Sequence, residues 1–494
     1  MRKAKILLSA VFATSIAHGA WIFPLLPTEG IVLKQSKTSF ISLNFLTQIW
    51  TQSDGQVSQN TKSATNFSVR DARIGIEGQV NKYIQFGAFF DFADNNALGF
   101  DGSARPHQGT VQSSVLQDAY IGFTPSNAFN ITFGEFRDPF SRISLSGLYT
   151  LVIPSYYGYG IGPIDDVINQ DNPKTPALSF INPFFPLGYG SLPGIKGEPG
   201  VTSAFRDMGV SIWGNLAKGM FKYYAMVGQG KYDYQTSLSN PGNAYQTDNP
   251  NLKYSFRFVF VPTFLGFSSD PTYMMRDTYL GHKKTLQIGI GYETQKRECN
   301  GLPTSNCQVP NPNNPSQNII IPASSVTSKA YDIDIFYENK FGNFAPQFQA
   351  GYIVNKDLGF GDKYGNKPES DGYYLQTQWL YDRFVGIGKP ALALRYESYT
   401  NKNVYAVSSS GTVSPNPNNI LKAPNGSYQD GKIDNLSIYL NYYIANQSAK
   451  VSLGADFVNP NTVVKTAECV GGSPMSGGCG KSFVDYTLQL QLVY

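Results

Sequence analysis

Few side chains in this chain have the type and spacing that covalent chemistry needs. Its 494 residues hold three histidines, His18, His107 and His282, far apart in sequence. A hydrolase or protease needs a base fixed beside a nucleophile or an activated water, and these positions suggest no such pairing. No Cys-x-x-Cys-His haem attachment occurs, and Gly359-Phe-Gly361 and Gly471-Gly472 lack the helix that a phosphate loop must open. The expectation is a protein without catalysis or cofactor. The four cysteines form two local pairs, Cys299 with Cys307 and Cys469 with Cys479, in stretches rich in Gly, Pro and Asn. In an exported chain such pairs read as disulfide loop staples. A zinc site is the rival, but neither pair has a histidine nearby and the spacings do not suit one.

The abundant functional groups are ionisable side chains at alternate positions of strand-like segments. Assigned to one face by period two, the basic residues are Arg73, Lys222, Arg257, Arg395 and Lys450. The acids on that face are more numerous: Glu77, Asp91, Asp118, Asp207, Glu293, Asp332, Asp334, Glu338, Asp382, Glu397, Asp456 and Asp485. The opposite face is apolar and aromatic. In the last segment Val484, Tyr486, Leu488, Leu490, Leu492 and Tyr494 alternate with Asp485, Thr487, Gln489 and Gln491. Earlier, Tyr254, Phe256, Phe258 and Phe260 alternate with Ser255 and Arg257, and Leu436, Ile438, Leu440 and Tyr442 with Ser437 and Asn441. One greasy face and one wet, charged face, with aromatics at both ends, suit strands that cross a membrane around a watery interior.

The elements that carry these residues can be counted. Alternating segments recur at 38–51, 66–79, 82–94, 112–124, 128–136, 204–217, 219–229, 252–262, 282–294, 328–341, 343–355, 371–382, 390–400, 433–444, 447–458 and 483–494. Sixteen is an even number, as single-chain bacterial barrels have. The gaps alternate short and long, as periplasmic turns and outer loops do. One exception, 263–281, is long on the short side and could hide a short hairpin, which leaves fourteen or eighteen strands as alternative counts. At the other end, Arg2, Lys3 and Lys5 precede the short apolar run Ile6–Ala17, and Ala17-His18-Gly19 suits a signal peptidase. The predicted organisation is a signal peptide over 1–19, a short periplasmic segment over 20–37, and an all-β transmembrane antiparallel barrel over 38–494.

Composition agrees. Tyr and Phe number 32 and 33 against 4 Trp, and charged residues are only 15%, below the roughly 25% of soluble domains. Mean hydropathy is -0.24, and no run reaches the roughly 20 apolar residues of a spanning helix. Removing the leader lowers the net charge from +4 to +1. There is no basic run, so nucleic acid is not an expected partner.

Certain motifs are familiar. Val69-Arg-Asp-Ala-Arg-Ile-Gly-Ile-Glu-Gly78, Phe86 to Phe92, Leu116-Gln-Asp-Ala-Tyr-Ile-Gly-Phe123 and Phe133-Gly-Glu-Phe-Arg-Asp-Pro-Phe140 resemble the phosphate-selective porin O and P family. The likeness is strong over about 66–145 and in the last strand, and loose between. It implies a 16-stranded homotrimeric porin in the outer membrane of a bacterium, with its third loop folded into the lumen. The apolar clusters Tyr156-Tyr157, Phe180-Ile181 and Phe184-Phe185 give that long loop its own reason to bury itself. Arg137 and Arg142 at its start, with Arg73, could form a basic constriction beside Glu77, Asp118 and Arg257; equally, the arginines could pair with carboxylates and only hold the loop. The acid excess speaks against strong phosphate selection. The expected function is passive diffusion of ions and small hydrophilic solutes. The alternatives are an anion-selective porin and a non-conducting barrel serving as scaffold, adhesin or sheath.

Overall fold

A computed structural model describes residues 31–36, 38–54, 64–92, 115–155, 157, 184, 205–230, 233–236, 244–247, 251–298, 307–311, 314–321, 325–357, 369–407, 413–415, 427–463 and 482–494. Sixteen strands form the barrel. They are β1 (Ser39–Asp54), β2 (Ala64–Asn81), β3 (Ile84–Asp91), β4 (Val115–Phe123), β5 (Asn130–Arg137), β6 (Arg206–Leu216), β7 (Phe221–Gly228) and β8 (Lys253–Phe260). They continue as β9 (Thr285–Glu298), β10 (Ser325–Glu338), β11 (Phe344–Lys356), β12 (Glu369–Tyr381), β13 (Lys389–Val407), β14 (Tyr428–Tyr443), β15 (Ala449–Pro460) and β16 (Phe483–Val493). Each pairs antiparallel with the next, and β16 returns to β1 in a register running from Leu46 opposite Val493 to Ser53 opposite Tyr486. Closure leaves no free edge, which a strand-built membrane protein requires.

The two faces are inverted relative to a soluble protein. In β8, Tyr254, Phe256 and Phe258 are exposed, whereas Lys253, Ser255 and Arg257 are buried. In β14, Leu436, Ile438 and Leu440 are exposed, whereas Asn435, Ser437 and Asn441 are buried. An aromatic and aliphatic exterior around a polar interior is stable only where the exterior meets lipid. No helix among the described residues is long and apolar enough to cross a membrane; the strands make the crossing.

Local chemistry sets the short turns. Asn81 ends β2, and its side-chain oxygen accepts from the N–H groups of Tyr83 (2.8 Å) and Ile84 (3.1 Å), the self-capping that makes Asn a turn residue. Gly342 and Asn446 take positive φ in the turns after β10 and β14, the region open to Gly and tolerated by Asn. Both chain ends of the barrel lie on this short-turn side.

Three features depart from the sequence expectations. Asp382 belongs to the turn after β12 and not to the inner wall; there it pairs with Lys340 and, at 2.6 Å, with Lys389. Within 20–37, Ile31–Ser36 forms a strand that pairs with β1 from Ile31 opposite Leu43, on the edge that β16 occupies higher up. The long gap 263–281 hides no hairpin. It contains one turn of 3-10 helix, Thr263–Leu265, followed by irregular chain in which Tyr273, Met274, Met275, Asp277 and Thr278 are buried. The signal peptide, Cys299, Cys469 and Cys479 lie outside the described residues, as do Phe180, Ile181 and Phe185.

Candidate functional site in the barrel interior

Two connecting segments press against the inner wall. The first leaves β5 and is buried from Asp138 to Ser155. It holds one short helix, Arg142–Leu145, closed by a capping box: the Ser141 hydroxyl accepts from the Ser144 N–H (3.1 Å), and the Ser144 hydroxyl accepts from the Ser141 N–H (3.0 Å). Inward-facing donors from across the barrel satisfy its carbonyls. Gln491 Nε2 donates to Tyr149 O (3.0 Å), Lys450 Nζ to Leu151 O (2.7 Å), Asn441 Nδ2 to Val152 O (2.6 Å) and Arg395 to Ser155 O (3.0 Å). At Gly291 in β9, any side chain would overlap the Phe140 carbonyl. Farther along, Tyr157 and Phe184 are buried among Tyr374 and Tyr399, with Tyr157 4.7 Å from the Tyr374 ring centre.

The second segment is the long turn between β8 and β9. Lys222 Nζ donates to Asp270 O (3.1 Å) and to Thr272 O, and Tyr224 Oη donates to Tyr273 O (2.8 Å). Glu338 receives the N–H groups of Tyr279 (2.8 Å) and Gly281 (2.6 Å) and the Thr278 hydroxyl (3.0 Å). Burial pushes the Asp270 carboxyl up, but Lys283 and Lys222 outweigh it and hold that carboxyl well below the usual carboxylate range.

Much of the inward charge is paired. Lys253 Nζ sits among Asp138 (2.5 Å), Asp207 (3.1 Å) and Glu293 (3.1 Å), pinning the root of the first segment. Arg257 bridges Asp332 (2.9 Å) and Asp334 (2.6 Å). Arg206 meets Asp118 at 2.8 Å, and Arg73 meets Asp91 at 3.0 Å as well as Asp71. Arg142 is held differently: it donates to Gln287 (2.7 Å), Gln349 (3.2 Å) and the Arg276 carbonyl (2.6 Å), with its guanidinium 3.6 Å from the Phe336 ring centre.

A cavity of about 620 Å³ of non-atom space, partly open to solvent, lies between the wall of β1–β6 and the two segments. Its lining includes Arg73, Glu77, Asp118, Arg137 and Arg206 from the wall side, and Gly147, Leu148, Tyr149 and Met274 from the segments. Four of the six positions expected to line a pore therefore converge on one space, while Arg142 and Arg257 lie outside its lining. Glycine shapes this wall: a Cβ at Gly87 would run into the Tyr120 ring, which lies flat there with its hydroxyl 3.4 Å from Glu77. Burial pushes the Tyr149 hydroxyl up to about 12, so it stays neutral at the cavity. Arg206 and Lys253 were not among the expected inward residues. Lys253 shares the parity of Arg257 and was legible; Arg206 has the opposite parity from Asp207 and was not.

The inverted faces, strand closure and polar interior define an outer-membrane β-barrel. Over residues 48–176 the chain matches the family model described as phosphate-selective porin O and P, a stretch running from β1 through β5 into the first inserted segment. No curated protein matches. Solved structures with a similar overall arrangement include OmpT of Vibrio cholerae (12% identity, 94% of this chain and 100% of that chain, TM-score 0.47). Others are an anion-selective porin from Comamonas acidovorans (11% identity, 92% and 100%, TM-score 0.48) and Salmonella typhi OmpF in complex with daunomycin (9% identity, 94% and 100%, TM-score 0.47).

Proposed function

We propose that this barrel is a narrow diffusion channel for ions and small hydrophilic solutes, with its passage along the wall of β1–β6. One observation carries the reading: the cavity bounded by that wall and the two segments is the space into which Arg73, Glu77, Asp118, Arg137 and Arg206 converge. The segment from Asp138 onward acts as the constriction. Its contacts with β13–β16 and with β9 and β11 support that role, because they hold the segment across the interior while its Leu148 and Tyr149 border the cavity. Arg73, Arg137 and Arg206 share the lining with Glu77 and Asp118, with Arg206 paired to Asp118 and with Asp71 and Asp91 beside Arg73. Interleaved signs create a transverse field and only a modest ion preference.

Anion selection is the second reading, favoured by the three arginines around one cavity and by the matching family model. Purified protein in a planar bilayer, under a KCl gradient, separates the possibilities. Stepwise current with a small reversal potential supports the weakly selective channel. A large anion-selective potential, with block by low phosphate, supports the second reading. Absence of current indicates a scaffold, adhesin or sheath. The family resemblance also implies a homotrimer, which cross-linking in native membranes tests.

A further inference from the structure

We infer that Asp277, carried inward on the long turn between β8 and β9, is the positioning residue that fixes the constricting segment and so sets the width of the passage. This rests on the channel reading above and deepens it. The two segments enter from opposite ends of the barrel, one from the outer side after β5 and one from the periplasmic side after β8. They meet in a backbone pairing: Met275 N–H donates to Leu145 O (3.0 Å), and Gly147 N–H donates to Met275 O (3.3 Å). Gly147 and Met274 both border the cavity, so this junction is one edge of the passage.

Asp277 is a charged group at the junction, near Arg142, which donates to the Arg276 carbonyl, and it is fully buried. Its Oδ2 accepts from the Val152 N–H (2.9 Å) and from Gln376 Nε2 (3.0 Å), and its Oδ1 accepts from the Tyr157 hydroxyl (3.3 Å). Its own N–H donates to Thr150 Oγ1 (3.0 Å). Three residues of the constricting segment, 150, 152 and 157, thus converge on one aspartate from a different connection. The wall donors to Leu151, Val152 and Ser155 reach carbonyls; the Val152 N–H is met by Asp277. The turn can bear this load because Glu338 and Lys222 clamp it on either side. Buried hydrogen bonds to a carboxylate are stronger than neutral ones and costly to leave half-made.

The test uses the full-length protein with Asp277→Ala and the near-isosteric Asp277→Asn, and two readouts. Hydrogen exchange of peptides covering 145–157 should be about 10- to 100-fold faster in Asp277→Ala, the effect of losing hydrogen bonds to a buried carboxylate. Asp277→Asn should fall between it and the unaltered protein. In bilayers, Asp277→Ala should give a larger unit conductance and pass larger sugars in liposome swelling, while the barrel keeps its heat-modifiable gel shift. Unchanged exchange over 145–157 overturns the inference, and so does faster exchange with the same step size and sugar cutoff. A silent unaltered protein would instead remove the channel reading, and with it the claim about width; exchange would then still decide whether Asp277 fixes the segment.

Discussion

Charge placed on the outer face of β8 gives the most direct test of the inverted barrel. Phe256 sits in mid-strand opposite Ala225 and Tyr292 and is 46% exposed, while Phe260 ends the strand opposite Phe221. Four residues separate them, about 13 Å along a strand and about 10 Å along the membrane normal at a tilt near 40°. The apolar band of such a barrel is about 25 Å tall, so Phe256 lies near its middle and Phe260 near its rim. Replacing each by Ala and by Arg separates lost aromatic contact from buried charge. The Arg-minus-Ala difference should be about 2–4 kcal/mol at 256 and about 0–1 kcal/mol at 260. At 256 that is roughly a 30- to 900-fold shift in the folding equilibrium. Reversible urea unfolding in lipid vesicles, followed by tryptophan fluorescence and gel shift, measures both. Equal costs at the two positions, or a negligible cost at 256, would show that this face does not meet lipid and would refute the assignment of inside and outside.

Other expectations concern the interior and the turns. Arg257→Met should cost about 3–5 kcal/mol in the same unfolding assay, because Asp332 and Asp334 are left buried beside an apolar side chain; a cost below about 1 kcal/mol would mean the pair is hydrated. Gly291→Val should displace the segment at Phe140, seen as new protease cleavage near residue 140, and an unchanged digest would count against that contact. Burial raises the Asp382 carboxyl, but Lys340 and Lys389 together outweigh it and hold it below the ordinary range. Its contribution is therefore complete above the unfolded value of about 3.9 and fades only as pH falls through the lower folded value. Carbon-13 NMR titration should show that depressed value and its return upward in Lys340→Ala/Lys389→Ala. Peptide mapping without reduction should find Cys299 joined to Cys307 and Cys469 to Cys479; crossed pairs or free thiols would refute the local staples.

Period-two alternation made the barrel legible because a strand's parity fixes which face each side chain takes. All sixteen strands fall on segments that the pattern marks, and the inward acids from Glu77 to Asp485 are buried as parity requires, with Asp382 the exception. That exception comes at a strand end, where β12 stops at Tyr381 and parity loses its meaning. Arg206 was missed for a related reason: it is the first residue of β6, where parity is weakly fixed, and its guanidinium reaches Asp118. The long periplasmic gap was visible as an irregular length, but its destination was not. Irregular chain carries no period, and its partners, such as Lys222, Tyr224 and Glu338, lie 48 to 60 residues away. Arg142 was expected to line a constriction or pair with carboxylates; it spends its donors on Gln287, Gln349 and a backbone carbonyl, joining segment, turn and wall.

The same polar interior explains why irregular backbone docks inside the barrel. Inward donors such as Lys450, Asn441 and Arg395 need acceptors, and a segment of irregular backbone offers carbonyls at close intervals. On β13–β16 these donors share the wall with the buried acids Glu397, Asp456 and Asp485, and the backbone docks on the donors. The β1–β6 wall carries ion pairs, Arg73 with Asp91 and Arg206 with Asp118, and there the segment docks through Leu148, Tyr149 and Leu151 around Leu46 and through the Ser144 carbonyl on Arg137. The seat of the segment is thus set by contacts on both sides of the barrel. Replacing both members of a pair, as in Arg206→Gln with Asp118→Asn, should keep the wall neutral but give it free amide groups. Exchange protection of 145–157 should rise and unit conductance fall as the segment shifts toward that wall. A larger conductance from the double variant would show that the pair occupies the passage and does not keep the segment away.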